Sequence, residues 1–184
     1  DARLGCPNRD GRVGVGGCTF CLNEAFSPGY CRSEESLTKQ IDAGLQFHAS
    51  RGRMADINLA YFQSGSNTYA SVDVLRRFYN EALSHRDISG IIVGTRPDCV
   101  DGDILQLLHD MSLRGYVALE LGIESTDDAT LEHVNRGHSF AAAASAVAEA
   151  KALGIDVGAH FILGLPGRDR DDMLGATTKI NSLG

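Results

Sequence analysis

Cys6, Cys18 and Cys21 are separated by eleven and then two residues. The stretch between the first two, Pro7-Asn8-Arg9-Asp10-Gly11-Arg12-Val13-Gly14-Val15-Gly16-Gly17, is rich in glycine and reads as a loop. Thiolates on a flexible loop can converge on a metal, and a C-x2-C pair suits zinc or iron. The number of ligands separates these chemistries. A structural zinc ion takes four closed ligands, which would make Cys31 the fourth. A four-iron cluster on three cysteines leaves one iron open, where a substrate or cofactor can bind. A simple electron-transfer iron–sulfur protein is a third reading. A redox dithiol fits less well, because Cys18 and Cys21 open no thioredoxin-like βαβ unit. The 5 cysteines are odd in number and three crowd near the start, which is no disulfide framework and points to a reducing compartment.

The other reactive side chains collect where apolar runs end. Residues 57–62 (INLAYF), 90–94 (GIIVG), 116–124 (YVALELGIE) and 156–163 (DVGAHFIL) read as strands. Helical patterns cover 34–51, 72–83, 102–114 and 140–153, and another starts near Asp169. Strands alternating with helices predict βαβ units and a parallel sheet, as an open doubly wound sheet or as all or part of a (β/α) barrel. The strands run into Gln63-Ser64-Gly65-Ser66-Asn67, Thr95-Arg96-Pro97-Asp98, Glu124-Ser125 and Gly164-Leu165-Pro166-Gly167, and the last carries His160. Both architectures place their active sites at these carboxyl ends. Glu120 shares a strand face with Glu124, and a buried Glu needs a partner, for which Arg96 and Arg136 are candidates.

Composition agrees with a globular domain. The 184 residues are 43% hydrophobic and 22% charged, which excludes a disordered chain. The net charge of −7 makes nucleic acid a poor default partner. No apolar run is long enough to span a bilayer, so a cytoplasmic protein is expected. The chain has no initiator Met and begins five residues before Cys6, which suggests a fragment of a longer protein.

C-x11-C-x2-C with Phe20 in the C-T-F-C slot resembles the radical S-adenosylmethionine superfamily. CPNRDG, GGCTFC, YFQ, VGTRPDCV, LELGIES, VNRGH and GLPG together resemble its YhcC-type branch, related to the elongator catalytic subunit and to oxygen-independent coproporphyrinogen oxidase. The resemblance covers the whole chain. It implies an α/β fold, a partial (β/α)6 barrel of parallel strands, with residues 1–184 forming the core domain and lacking the strand before Cys6 and the elements after Gly184. It also implies a [4Fe-4S] cluster on Cys6, Cys18 and Cys21 whose open iron chelates S-adenosylmethionine. Reductive cleavage would then yield a 5′-deoxyadenosyl radical that abstracts hydrogen from a substrate the sequence does not name. A low-potential electron donor of flavodoxin or ferredoxin type is implied as partner. Kinship with the elongator subunit adds tRNA as an option that the charge does not support.

Carried over residue by residue, the resemblance sets Phe20 against adenine. It gives the methionine amino group to the 63–67 loop, where no carboxylate is present and backbone carbonyls, Ser66 or Asn67 must serve. It makes Arg96 a cofactor contact, Glu124 the ribose acceptor, Arg136 the partner of the methionine carboxylate, and His160 a group facing the ribose. The segment 164–167 would pack on adenine through its backbone.

Overall fold

The computed structural model describes residues 1–32 and 34–184. Strands β1 (Leu59–Phe62), β2 (Gly90–Thr95), β3 (Tyr116–Glu124) and β4 (Asp156–Phe161) form one four-stranded sheet in the order β1-β2-β3-β4. Every neighbouring pair is parallel. A doubly wound sheet reverses its strand order at a switch point. This sheet keeps chain order throughout, which makes it an open arc of a (β/α) barrel.

Helices α1 (Leu37–Ala49), α2 (Val72–Leu83), α3 (Gly102–Ser112), α4 (Asp128–His133), α5 (Phe140–Ala152) and α6 (Arg170–Asn181) alternate with the strands. Their starts have local causes. The side chains of Ser36, Asp101, Asp127 and Ser139 each accept from a backbone N–H in the first turn, and Asp169 forms a capping box with Asp172. Helix α1 therefore begins at its Ser36 cap rather than at Glu34. The short α4 was not anticipated, and its signal is Asp127, which caps Thr130.

β3 spans its apolar run and β2 extends one residue past its own, whereas β1 and β4 are shorter than theirs. β2 starts at Gly90, whose ladder partner is Leu59, so Ile57 has no strand to pair with and lies exposed. β4 stops at Phe161, the partner of Glu124 at the end of β3, and Leu163 beyond it is exposed.

Strand alternation divides the sheet into two faces. Ile91, Val93, Val117, Leu119, Leu121 and Ile123 are buried in one core with Leu75, Tyr79, Leu105, Leu108, Ala143 and Val147 from the helices. The opposite parity carries Tyr61, Gln63, Arg96, Glu120, Glu124 and His160, all of which line a cavity. Apolar strands therefore anchor the helices on one face, and the inner face is left for polar chemistry. No helix among the described residues is long and apolar enough to cross a membrane.

Candidate active site

The cysteine loop is fastened at two points. At one, Ser66 N donates to Gly5 O (3.1 Å), and Gly65 N donates to Asn23 Oδ1 (3.0 Å). Gly65 has φ +81°, and a Cβ there would sit 2.5 Å from Leu4 O, so only glycine fits. At the other, the segment after α4 holds the loop. Thr19 N donates to Val134 O (3.0 Å), Asn135 Nδ2 to Gly17 O (2.8 Å), and buried Asn8 Nδ2 to Asn135 O (2.5 Å). Asn8 Nδ2 also donates to Cys18 Sγ (3.6 Å).

Arg136, in that same segment, is almost wholly buried. Its Nη1 donates to Cys18 Sγ (3.4 Å), its Nη2 to Gly122 O (2.5 Å), and its Nε to His138 Nε2 (2.9 Å), while Glu124 Oε1 lies 3.5 Å from Nη2. An arginine cannot accept, so His138 Nε2 is the lone-pair nitrogen and Nδ1–H faces Ser139 O at 3.1 Å. Burial and the adjacent Arg136 charge push the His138 pKa down to about 4. In this arrangement Nε and Nη2 of Arg136 serve His138, Gly122 and Glu124, and Nη1 serves Cys18.

Glu124 reaches Arg136 because β3 is irregular at its end. The β3–β4 register shifts between Gly122 and Glu124, and Glu124 takes φ 67°. A bulge of this kind re-aims a side chain. Gly122 makes the crossing possible, since a Cβ there would lie 2.5 Å from Glu124 Oε1 and 2.7 Å from Arg136 Nη2. Burial raises the Glu124 pKa, opposed by Arg136, His160 and Arg96.

Arg96 leaves the end of β2 and grips Asp98 through Nε (2.9 Å) and Nη2 (2.8 Å). Its side chain is 3% exposed, and Nη1 has no hydrogen-bond partner. Arg96 lines the cavity described below, and its buried Nη1 holds donor capacity that no described group uses. Also on the inner face, Tyr61 OH donates to Glu120 Oε2 (2.6 Å), and His160 Nε2 meets the same oxygen at 2.6 Å. Glu120 is thus partnered by Tyr61 and His160 rather than by either arginine.

A cavity of about 450 Å³ collects these groups. Cys6, Cys18, Cys21, Phe20, Gly65, Ser66, Arg96, Glu124, Arg136 and His160 all line it. Two expected loop contacts do not reach it. Ser64 lines a second cavity, where its hydroxyl pairs with Ser27 (2.6 Å), and Asn67 is buried with Nδ2 donating to Gly94 O (2.8 Å). Cys31 also belongs to the second cavity, away from the three-cysteine motif. Among the described residues, no three His, Cys, Asp or Glu side chains gather round one metal position. A single zinc ion needs four donors at one point, whereas a cubane cluster bonds each thiolate to a different iron. Three cysteines spread round one cavity, with N–H donors from Asn8 and Arg136 on Cys18, fit the cluster.

The sequence profile of the Radical SAM superfamily matches residues 5–179. The chain belongs to this superfamily. Its cofactors are a [4Fe-4S] cluster and S-adenosylmethionine, and it is a family of enzymes. The chain is 41% identical over 180 residues to Protein YhcC of Escherichia coli (strain K12), covering 97% of this chain and 57% of YhcC. The radical SAM fold is similar to that of Elp3 from the archaeon Methanocaldococcus infernus (TM-score 0.65, 18% identity, 79% of this chain and 38% of Elp3). It is also similar to coproporphyrinogen III oxidase (HemN) from Escherichia coli, a radical SAM enzyme (TM-score 0.58, 19% identity, 84% of this chain and 38% of HemN).

Proposed function

We propose that this chain is the catalytic core of an enzyme that cleaves S-adenosylmethionine reductively inside the 450 Å³ cavity. The observation that carries the reading is the shared wall: Cys6, Cys18, Cys21, Arg96, Glu124 and Arg136 border the same space. When bound, the cluster and S-adenosylmethionine would supply one-electron cleavage of the sulfonium C–S bond and a 5′-deoxyadenosyl radical.

The residues then divide the work. Cys6, Cys18 and Cys21 hold the cluster. Arg96, already fixed by Asp98, turns its spare Nη1–H bonds to the methionine carboxylate, replacing Arg136 in that role. Ser66 and the backbone of the Gly65 loop receive the amino group. Glu124 accepts from the ribose hydroxyls, a task that suits a carboxylate, and Phe20 lies against adenine. Arg136 braces Cys18 and Glu124. Reduction calls for a low-potential electron donor of flavodoxin or ferredoxin type.

The test uses full-length protein reconstituted with iron and sulfide without air. Adding S-adenosylmethionine should alter the electron paramagnetic resonance spectrum of the reduced cluster, because the ligand binds its open iron. A spectrum indifferent to saturating S-adenosylmethionine would favour the simple electron-transfer reading.

A further inference from the structure

Tyr61, Glu120 and His160 come from β1, β3 and β4 and meet on the inner face. Both register partners of Glu120, Gly94 and Gly158, lack side chains, which leaves space around the carboxylate. A carboxylate only accepts, so the 2.6 Å contact requires the proton of a neutral His160 to sit on Nε2. Tyr61 is fixed as a donor by the same oxygen, and burial together with Glu120 raises its pKa, keeping the phenol protonated. The His160 side chain is half exposed to the cavity, and among the described residues nothing hydrogen-bonds its Nδ1. A histidine whose one nitrogen is held by a carboxylate and whose other nitrogen faces a ligand cavity has the arrangement of a general base.

We propose that His160 is a catalytic base for the substrate, positioned by Glu120, and that the substrate presents an O–H or N–H group at this part of the cavity. The proposal rests on the cavity being the site of S-adenosylmethionine cleavage. Hydrogen abstraction from a carbon bearing O–H or N–H makes the X–H proton more acidic as the radical forms, so a base that takes the proton in the same step lowers the barrier to abstraction. That proton passes to His160 Nδ1, the bonding electron pair stays on the heteroatom, and the imidazolium is neutralised by Glu120. No oxidant or reductant is consumed in this transfer.

The test starts with cofactor-free, full-length protein carrying 15N-labelled histidine, with His160 assigned from its missing signal in His160→Gln. Two-bond 1H–15N spectra should show neutral His160 protonated on Nε2 and bare on Nδ1, and Glu120→Ala should turn it into the tautomer mixture of a free imidazole. A proton on Nδ1 in the wild type, or an unchanged tautomer in Glu120→Ala, overturns the dyad. The second arm uses reconstituted protein with S-adenosylmethionine, dithionite and cell extract as substrate source. The extract-stimulated part of 5′-deoxyadenosine formation should fall about 100-fold or more in His160→Gln, the scale of a lost general base. Full stimulation in His160→Gln overturns the catalytic role. Wild-type protein that forms no 5′-deoxyadenosine under any of these conditions overturns the proposed function instead, and the tautomer then decides the dyad by itself.

Discussion

Arg136 Nη1 lies 3.4 Å from Cys18 Sγ, and both side chains are buried. The guanidinium thus donates to the sulfur of a proposed iron ligand. The same guanidinium faces Glu124 across 3.5 Å, so one cation serves the cluster ligand and the strand-end carboxylate together. Removing one member of a buried ion pair costs about 3–5 kcal/mol. Arg136→Ala should therefore lower both the melting temperature and the iron bound per chain after anaerobic reconstitution. Arg136→Lys should recover only part, because a point charge cannot span Cys18, Gly122 and Glu124. Unchanged iron content in Arg136→Ala would remove this residue from the cluster's support.

Arg96 should behave differently. Its Nη1 is buried and unpartnered, and its other nitrogens are committed to Asp98. Arg96→Lys keeps a charge for Asp98 and loses the fork, so the cluster should still load while S-adenosylmethionine binding weakens by about tenfold or more, as expected for a lost charge-assisted hydrogen bond of about 1.5–3 kcal/mol. Equilibrium dialysis with labelled S-adenosylmethionine measures it. Equal loss of iron and of S-adenosylmethionine affinity would make Arg96 a structural residue.

Thiol chemistry distinguishes three ligands from four. Burial, reinforced by Asp98, pushes the Cys99 thiol up to about 12, so iodoacetamide at neutral pH should leave it untouched. Cys6, Cys21 and Cys31 are only partly buried and should be alkylated in cluster-free protein. Loading the cluster should then protect Cys6 and Cys21 and leave Cys31 reactive. Protection of Cys31 to the same degree, read by peptide mass spectrometry, would bring back the four-cysteine zinc arrangement.

Glu124 gives the fold a pH dependence of definite sign. Its pKa is raised by burial, so the folded state holds this proton more tightly than the unfolded chain. Its contribution is fully present below the ordinary value of 4.5 and is lost as pH rises through the higher folded value. Compared in urea titrations at several pH values, wild-type cluster-free protein should lose stability relative to Glu124→Gln as pH rises above 4.5. A difference between the two that stays flat with pH would show that Arg136 cancels the cost of burial. His138 acts in the opposite sense: its pKa of about 4 means that stability is lost as pH falls from its ordinary 6.5, and that loss is common to both proteins.

Strand-and-helix alternation was legible in the sequence because the apolar runs of β2 and β3 are buried on one full face. Chain order of the strands was not, since a parallel sheet of either winding shows the same periodicity. Local signals singled out the cysteines, Arg96 and Glu124 as candidates through spacing or strand ends, and these residues line one cavity. The contacts that fix their geometry were invisible. Asn8 meets Asn135 across 127 positions, and neither residue's neighbours announce the pairing. The β3 bulge is likewise silent, because nothing in Leu121-Gly122-Ile123-Glu124 shows that Glu124 will adopt φ 67° and turn toward Arg136. Tyr61 could have been found: it shares strand parity with Gln63, and Glu120 required a partner on that face.

The central claim is that the cavity lined by Cys6, Cys18 and Cys21 is where S-adenosylmethionine is cleaved. The most direct measurement is chromatographic detection of 5′-deoxyadenosine from full-length protein, reconstituted without air and given S-adenosylmethionine and dithionite, beside the Cys18→Ala variant. The account predicts 5′-deoxyadenosine and methionine in equal amounts from the wild type and neither from Cys18→Ala. Wild-type protein carrying about four irons per chain that yields no 5′-deoxyadenosine, with or without cell extract, would contradict it.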